Sequence, residues 1–160
     1  MGREIERKFL VKGEAWRGLA QGVPYCQGYL CRAKERTVRV RLAGNKAFLT
    51  IKGLSVGASR AEYEYEIPVA DARAMLDELA EGPLIEKIRH KIPYAGLIWE
   101  VDEFLGDNAG LIVAEVELDS EEQPFDKPDW AGEEVTNDAR YFNSNLTRCP
   151  FRQWQADGKS

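Results

Sequence analysis

Glu4, Glu6 and Lys8 stand two residues apart near the start of the chain, separated by Ile5 and Arg7 and followed by Phe9. Successive side chains of a β-strand point to opposite faces, so these three charges would share one side. The same spacing recurs in Arg39 and Arg41, in Lys52, in Glu62, Glu64 and Glu66, in Lys87 and Arg89, in Glu100 and Asp102, and in Glu115 and Glu117. Valine, leucine, isoleucine or an aromatic residue fills most positions between them. One such strand would be the solvated edge of a half-buried sheet. Seven of them, sorted into acidic and basic sets with only the first strand mixed, indicate a binding surface.

The two sets suit two kinds of ligand. Glu4, Glu6, Glu115 and Glu117 are hard oxygen ligands for Mg²⁺ or Mn²⁺, with Glu62, Glu64, Glu100 and Asp102 as further candidates. Lys8, Arg39, Arg41, Lys52, Lys87 and Arg89 are cationic donors, and the arginine fork matches phosphate oxygens in pairs. Acidic strands facing basic ones would hold a metal-bound polyphosphate.

The elements that must position these groups follow from the same pattern. Strands are predicted at about Tyr25 to Ala33, Thr37 to Leu42, Ala47 to Lys52, Ala61 to Val69, Leu84 to Ile92, Leu97 to Phe104 and Gly110 to Leu118, after the N-terminal one. Gly44-Asn45 marks a hairpin. Ala72, Met75, Leu76 and Leu79 recur at helical spacing behind Asp71 as N-cap, and Gly82-Pro83 ends that helix. A weaker, polar second helix is expected over Glu133 to Leu146. Hairpin order predicts an α+β fold: a closed antiparallel β-barrel whose charged face lines a tunnel and whose apolar face is shielded by helices packed outside. Burying unpaired ions costs several kcal/mol each, so such an interior must be wet.

The totals set bounds. With 160 residues, 44% hydrophobic and 31% charged, the chain makes one domain over 1–150 and a C-terminal tail over 151–160. A net charge of −5 opposes broad nucleic-acid binding. Three cysteines without a C-x-x-C pair indicate reduced thiols. With neither a leader pattern nor a long apolar stretch, a cytoplasmic protein off the membrane is expected, as monomer or homodimer.

The charged motifs resemble those of the triphosphate tunnel metalloenzymes, or CYTH superfamily. The E-x-E-x-K strand is matched by Glu4, Glu6 and Lys8; in order follow Q-G-Y-L (27–30), T-V-R-V-R (37–41), L-T-I-K-G (49–53), R-A-E-Y-E-Y (60–65), E-K-I-R (86–89), W-E-V-D-E-F (99–104), G-L-I-V-A-E-V-E-L (110–118) and E-V-T (134–136) leading into R-Y-F-N (140–143). The likeness is greatest to short bacterial members that hydrolyse inorganic triphosphate. It implies that the six basic residues bind phosphates, that Glu4, Glu6, Glu115 and Glu117 share the principal metal, and that Glu62, Glu64, Glu100 and Asp102 hold a second metal or the attacking water. It also implies that Tyr29 pairs with the motif lysine, making Lys8 and Tyr29 the catalytic candidates. Cleavage of triphosphate to diphosphate and phosphate is the expected activity. A thiamine- or nucleoside-triphosphatase, a class IV adenylyl cyclase and a noncatalytic polyphosphate-binding module remain alternatives on the same lining.

Overall fold

Alternating residues and two-residue turns make a long run of antiparallel hairpins. The computed structural model describes residues 2–156. Its strands are β1 (Glu4–Val11), β2 (Gly22–Ala33), β3 (Arg36–Ala43), β4 (Lys46–Gly53), β5 (Ser59–Arg60), β6 (Glu62–Ile67), β7 (Glu81–Tyr94), β8 (Leu97–Phe104), β9 (Ile112–Glu117) and β10 (Ala131–Glu134). The turn between β3 and β4 is Gly44-Asn45, and Gly44 has a φ of 60°. That left-handed first position suits a tight hairpin following the twist of its strands.

The strands bond in the order β10-β1-β9-β8-β7-β2-β3-β4-β6, and β5 returns to β1. The sheet therefore curls round on itself. Its seam is short: only Glu4↔Arg60 and Ile5↔Ser59 pair β1 with β5, while the far half of the same β1 edge is taken by β10. The closed barrel expected from the sequence is thus realised in part, as a curled sheet joined at one end of its seam.

The greasy residues lie mainly outside the curl. Phe9, Trp16, Trp99, Val101, Ala114, Val116 and Trp130 form one core beneath the connecting segments. Helix α1 (Val69–Glu78) buries Ala72 and Leu76 against the outer face of β2–β4. It starts two residues before the expected cap: Pro68 occupies the N-cap without a side-chain hydrogen bond, and Asp71 falls in the first turn. Leu79, expected in the core, follows the helix and is 59% exposed.

The C-terminal part differs most from expectation. Residues 131–134 are a strand rather than the start of a helix, because β1 offers a free edge there. A 3-10 turn (Ala139–Tyr141) and two short helices, α2 (Asn143–Leu146) and α3 (Phe151–Ala156), follow. The expected tail therefore begins with a helix, and Trp154 within it is buried beside Tyr141 and Leu146; residues 157–160 lie outside the described residues.

Candidate active site

The inner face of the curl encloses a cavity of about 190 Å³. Parity predicts its lining well. Lys8, Tyr29, Arg39, Arg41, Lys52, Lys87, Arg89, Glu4, Glu6, Glu62, Glu64, Glu100, Glu115 and Glu117 all border it. Of the expected site residues, Asp102 alone does not. Its carboxylate accepts from Arg89 Nε and Nη2, each at 2.7 Å, and meets Lys87 Nζ at 2.8 Å, so it sits in the wall behind the cations it holds.

The other ions form linked pairs around the lining. Lys52 Nζ lies 2.9 Å from Glu4 and 3.7 Å from Glu62. Lys8 Nζ lies 3.2 Å from Glu115, whose other oxygen is 3.3 Å from Arg89. Arg39 reaches Thr50 Oγ1 and Glu64, while its Nε is buried without a partner among the described residues. Arg41 donates to Gln27 Oε1 at 2.9 Å. Both Arg41 and Arg89 lie over the ring of buried Tyr25, at 5.1 and 4.9 Å, which holds the two guanidinium groups side by side.

These contacts set protonation. Burial raises the Glu115 carboxyl, but Lys8 and Arg89 outweigh it and hold the group at about 2. Burial lowers Lys8, yet Glu115 and Glu6 lift it above its ordinary value, so it stays charged. Glu6 goes the other way: burial, then Glu115 and Glu4, push it well above the carboxylate range. Arg41 is brought down to about 10 by burial and by Arg39 and Arg89. Lys87 is lowered to about 7 by burial, against Asp102, with Arg89 and Arg41 adding to the fall.

A metal position can be tested against this lining. Glu6, Glu100 and Glu115 each offer an oxygen, and the three lie within 4.8 Å of one another. Three hard oxygens on separate strands fit a divalent cation of the magnesium or manganese kind. Glu6 is raised first by its burial and then by Glu115 and Glu4, and a cation seated among the three oxygens would offset both. Glu4 is engaged by Lys52, and Glu117, raised by burial and by Glu4, lies on the same strand as Glu115. Seven cationic and seven carboxylate side chains line the whole cavity. That balance favours a polyanion entering together with cations over either alone.

One end of the cavity is closed by the segment that holds R-Y-F-N (140–143), which alternation did not assign to the lining. On four strands the inward-facing series turns apolar after its charges: Lys8 gives way to Leu10, Lys87 to Ile85, Asp102 to Phe104 and Glu115 to Val113. Tyr141, Leu146 and Trp154 pack onto this apolar rim. Phe142, Asn143 and Ser144 consequently face the cavity. Lys8 Nζ donates to Tyr141 O at 3.2 Å, and Asn143 Oδ1 accepts from Lys87 Nζ at 2.9 Å and Gln27 Nε2 at 3.0 Å. Gln27 shares parity with Tyr25 and could have been found by alternation; Asn143 could not, and its one signal is that it ends the R-Y-F-N stretch of the family resemblance.

Comparison with known proteins agrees with this geometry. Residues 2–148 match the model of the CYTH domain. The chain is 54% identical over 155 residues to an inorganic triphosphatase of Acetivibrio thermocellus, covering 97% of this chain and 99% of that one. It is 43% identical over 148 residues to an inorganic triphosphatase of Nitrosomonas europaea, covering 89% and 95%. The crystal structure of an inorganic triphosphatase superposes with a TM-score of 0.64 at 38% identity, over 90% of this chain and 93% of that one.

Proposed function

This chain belongs to the CYTH domain family, and we propose that it is a Mg²⁺- or Mn²⁺-dependent enzyme that hydrolyses inorganic triphosphate to diphosphate and phosphate in one domain. The observation that carries this reading is a cavity bordered by Arg39 and the five further cations of the expected set, with oxygens of Glu6, Glu100 and Glu115 within 4.8 Å of one another in its lining. Phosphoryl oxygens entering it would meet charge-assisted donors. The names carried by relatives at 54% and 43% identity support the same substrate.

Phosphoryl transfer needs charge neutralisation and in-line positioning more than covalent catalysis by the protein. Arg39, Arg41, Lys52, Lys87 and Arg89 bind the phosphate oxygens and hold the chain extended. Lys8, kept charged chiefly by Glu115, stabilises the departing diphosphate. Tyr29 borders the same cavity. Glu6, Glu100 and Glu115 would hold the divalent ion, which when bound neutralises charge on the phosphates and activates water. In this hydrolysis water is the nucleophile. Its oxygen bonds to the terminal phosphorus, the bridging P–O bond breaks with its electron pair on diphosphate, and a lining carboxylate takes the proton.

The aromatic residues at the cavity offer little to a nucleobase or thiamine ring: Tyr29 is 5% exposed, and Phe142 already lies 5.7 Å beneath Lys8 Nζ. The test is phosphate release from triphosphate, ATP and thiamine triphosphate with Mg²⁺, Mn²⁺ or neither. Triphosphate should be cleaved fastest and only with metal. Conversion of ATP to cyclic AMP, or tight triphosphate binding without turnover under either ion, would replace this reading.

A further inference from the structure

The closed end of the cavity carries its own hydrogen-bonding group. Asn143 Oδ1 accepts from two donors at once, the Lys87 ammonium at 2.9 Å and the Gln27 amide at 3.0 Å. Neither neighbour can be turned round: an ammonium only donates, and Gln27 Oε1 is occupied as acceptor by Arg41 Nε. The Asn143 amide is thereby fixed with its nitrogen pointing away from both. That nitrogen makes no hydrogen bond among the described residues and is not sealed from solvent, while its residue borders the cavity. A fixed pair of unpaired N–H groups stands where an anion would end.

Behind Asn143 the way is blocked by packed core rather than by a loose loop. Leu146 is fully buried, Trp154 is 2% exposed, and both lie against Ile85, Phe104 and Val113 of the barrel wall. Arg32 Nη1 donates to Thr147 Oγ1 at 3.1 Å and adds a polar tie at the same place.

We propose that Asn143 is a specificity-determining residue: its amide nitrogen binds the last phosphoryl group at the blind end of the cavity and so fixes where a bound polyphosphate ends. The proposal rests on the reading of the cavity as a polyphosphate site. Affinity should rise from orthophosphate to diphosphate to triphosphate as more donors are reached, and gain nothing from a fourth phosphoryl group, which would extend past the lining cations toward the other end of the curl.

The test is equilibrium binding of orthophosphate, diphosphate, triphosphate and tetraphosphate by calorimetry in EDTA, alongside metal-dependent hydrolysis of triphosphate. Wild-type protein should bind tetraphosphate no more tightly than triphosphate. Asn143→Ala should reduce triphosphate affinity about tenfold or more, the worth of a hydrogen bond to a charged group, while leaving orthophosphate and diphosphate unchanged. Asn143→Asp keeps an acceptor for Lys87 and Gln27 but removes both donors, so it should lose still more at triphosphate and retain the fold. Equal losses for all ligands, an Asp variant that binds triphosphate like wild type, or tetraphosphate bound more tightly than triphosphate would overturn the assignment. Length-dependent binding without hydrolysis would overturn the proposed activity alone. Hydrolysis with length-independent binding would overturn this inference alone.

Discussion

Lys87 Nζ and Asp102 Oδ2 meet at 2.8 Å with side-chain exposures of 1% and 2%. The aspartate is shared, however, since Arg89 grips both its oxygens at 2.7 Å. Asp102 is therefore held well below the carboxylate range, whereas Lys87, buried between Arg89 and Arg41, is the cation that yields its proton first.

A pH dependence of stability follows. Folded Lys87 loses its proton near pH 7, while in the unfolded chain a lysine keeps it to about pH 10.4. Across that window the unfolded state binds the extra proton, so for this group stability increases with pH, by at most about 1.4 kcal/mol per pH unit. Urea unfolding of the metal-free protein between pH 7 and 10 should show this upward slope, and Lys87→Met should flatten it. An unchanged slope in the variant would assign the effect elsewhere.

Glu6→Gln and Glu115→Gln should each weaken Mn²⁺ binding by more than about tenfold, because a neutral amide is a poorer ligand for a hard cation. Metal titration of the folded variants reads this directly, and metal-dependent turnover should fall in parallel. Wild-type metal affinity in both would remove the ion from this corner.

Arg39→Ala should weaken triphosphate by about 1.5–3 kcal/mol, the range for a charge-assisted hydrogen bond, and weaken diphosphate less. Arg7 gives the contrast: it pairs with Glu134 at 2.6 Å on the outside, partly exposed, where such pairs contribute about 0–1 kcal/mol. Arg7→Ala should leave triphosphate binding intact. Similar losses in the two variants would point to general charge attraction in place of a contact.

Trp154→Ala should destabilise the protein by about 3–5 kcal/mol, as expected for a large aromatic removed from a packed site. Its ring lies 5.2 Å from that of Tyr141, and its Nε1 donates to Cys149 O at 3.0 Å. Denaturant midpoints measure the loss. A change below 1 kcal/mol would mean that α3 is a dispensable tail.

Much of this site could be read from alternation, because strand geometry links parity directly to face. Once Glu6 and Lys8 are assigned to one side, Arg39, Lys52, Lys87 and Glu115 follow from their neighbours without knowledge of the fold, and fourteen of the fifteen expected positions border the cavity. His90, of opposite parity to Lys87 and Arg89, packs outside against Trp16 at 5.1 Å. The apolar continuation at Leu10, Ile85, Phe104 and Val113 was also written in the chain and marks where the charged lining stops.

Parity cannot give the partner. Whether a carboxylate faces a metal position, as Glu6 does, or is consumed by arginine and lysine in the wall, as Asp102 is, depends on neighbours brought together from different strands. The seam depends likewise on which segment reaches the free edge of β1, shared between β5 and β10. Asn143 ends the R-Y-F-N motif but lies in a polar stretch with no periodicity, so its place at the blind end is decided by Leu146 and Trp154 burying themselves against the barrel rim. The sequence determined the chemistry of the lining through local geometry; only contacts between strands and segments, from 13 positions apart at Arg89 and Asp102 to 133 at Lys8 and Tyr141, decided which charges were left free and where the cavity ends.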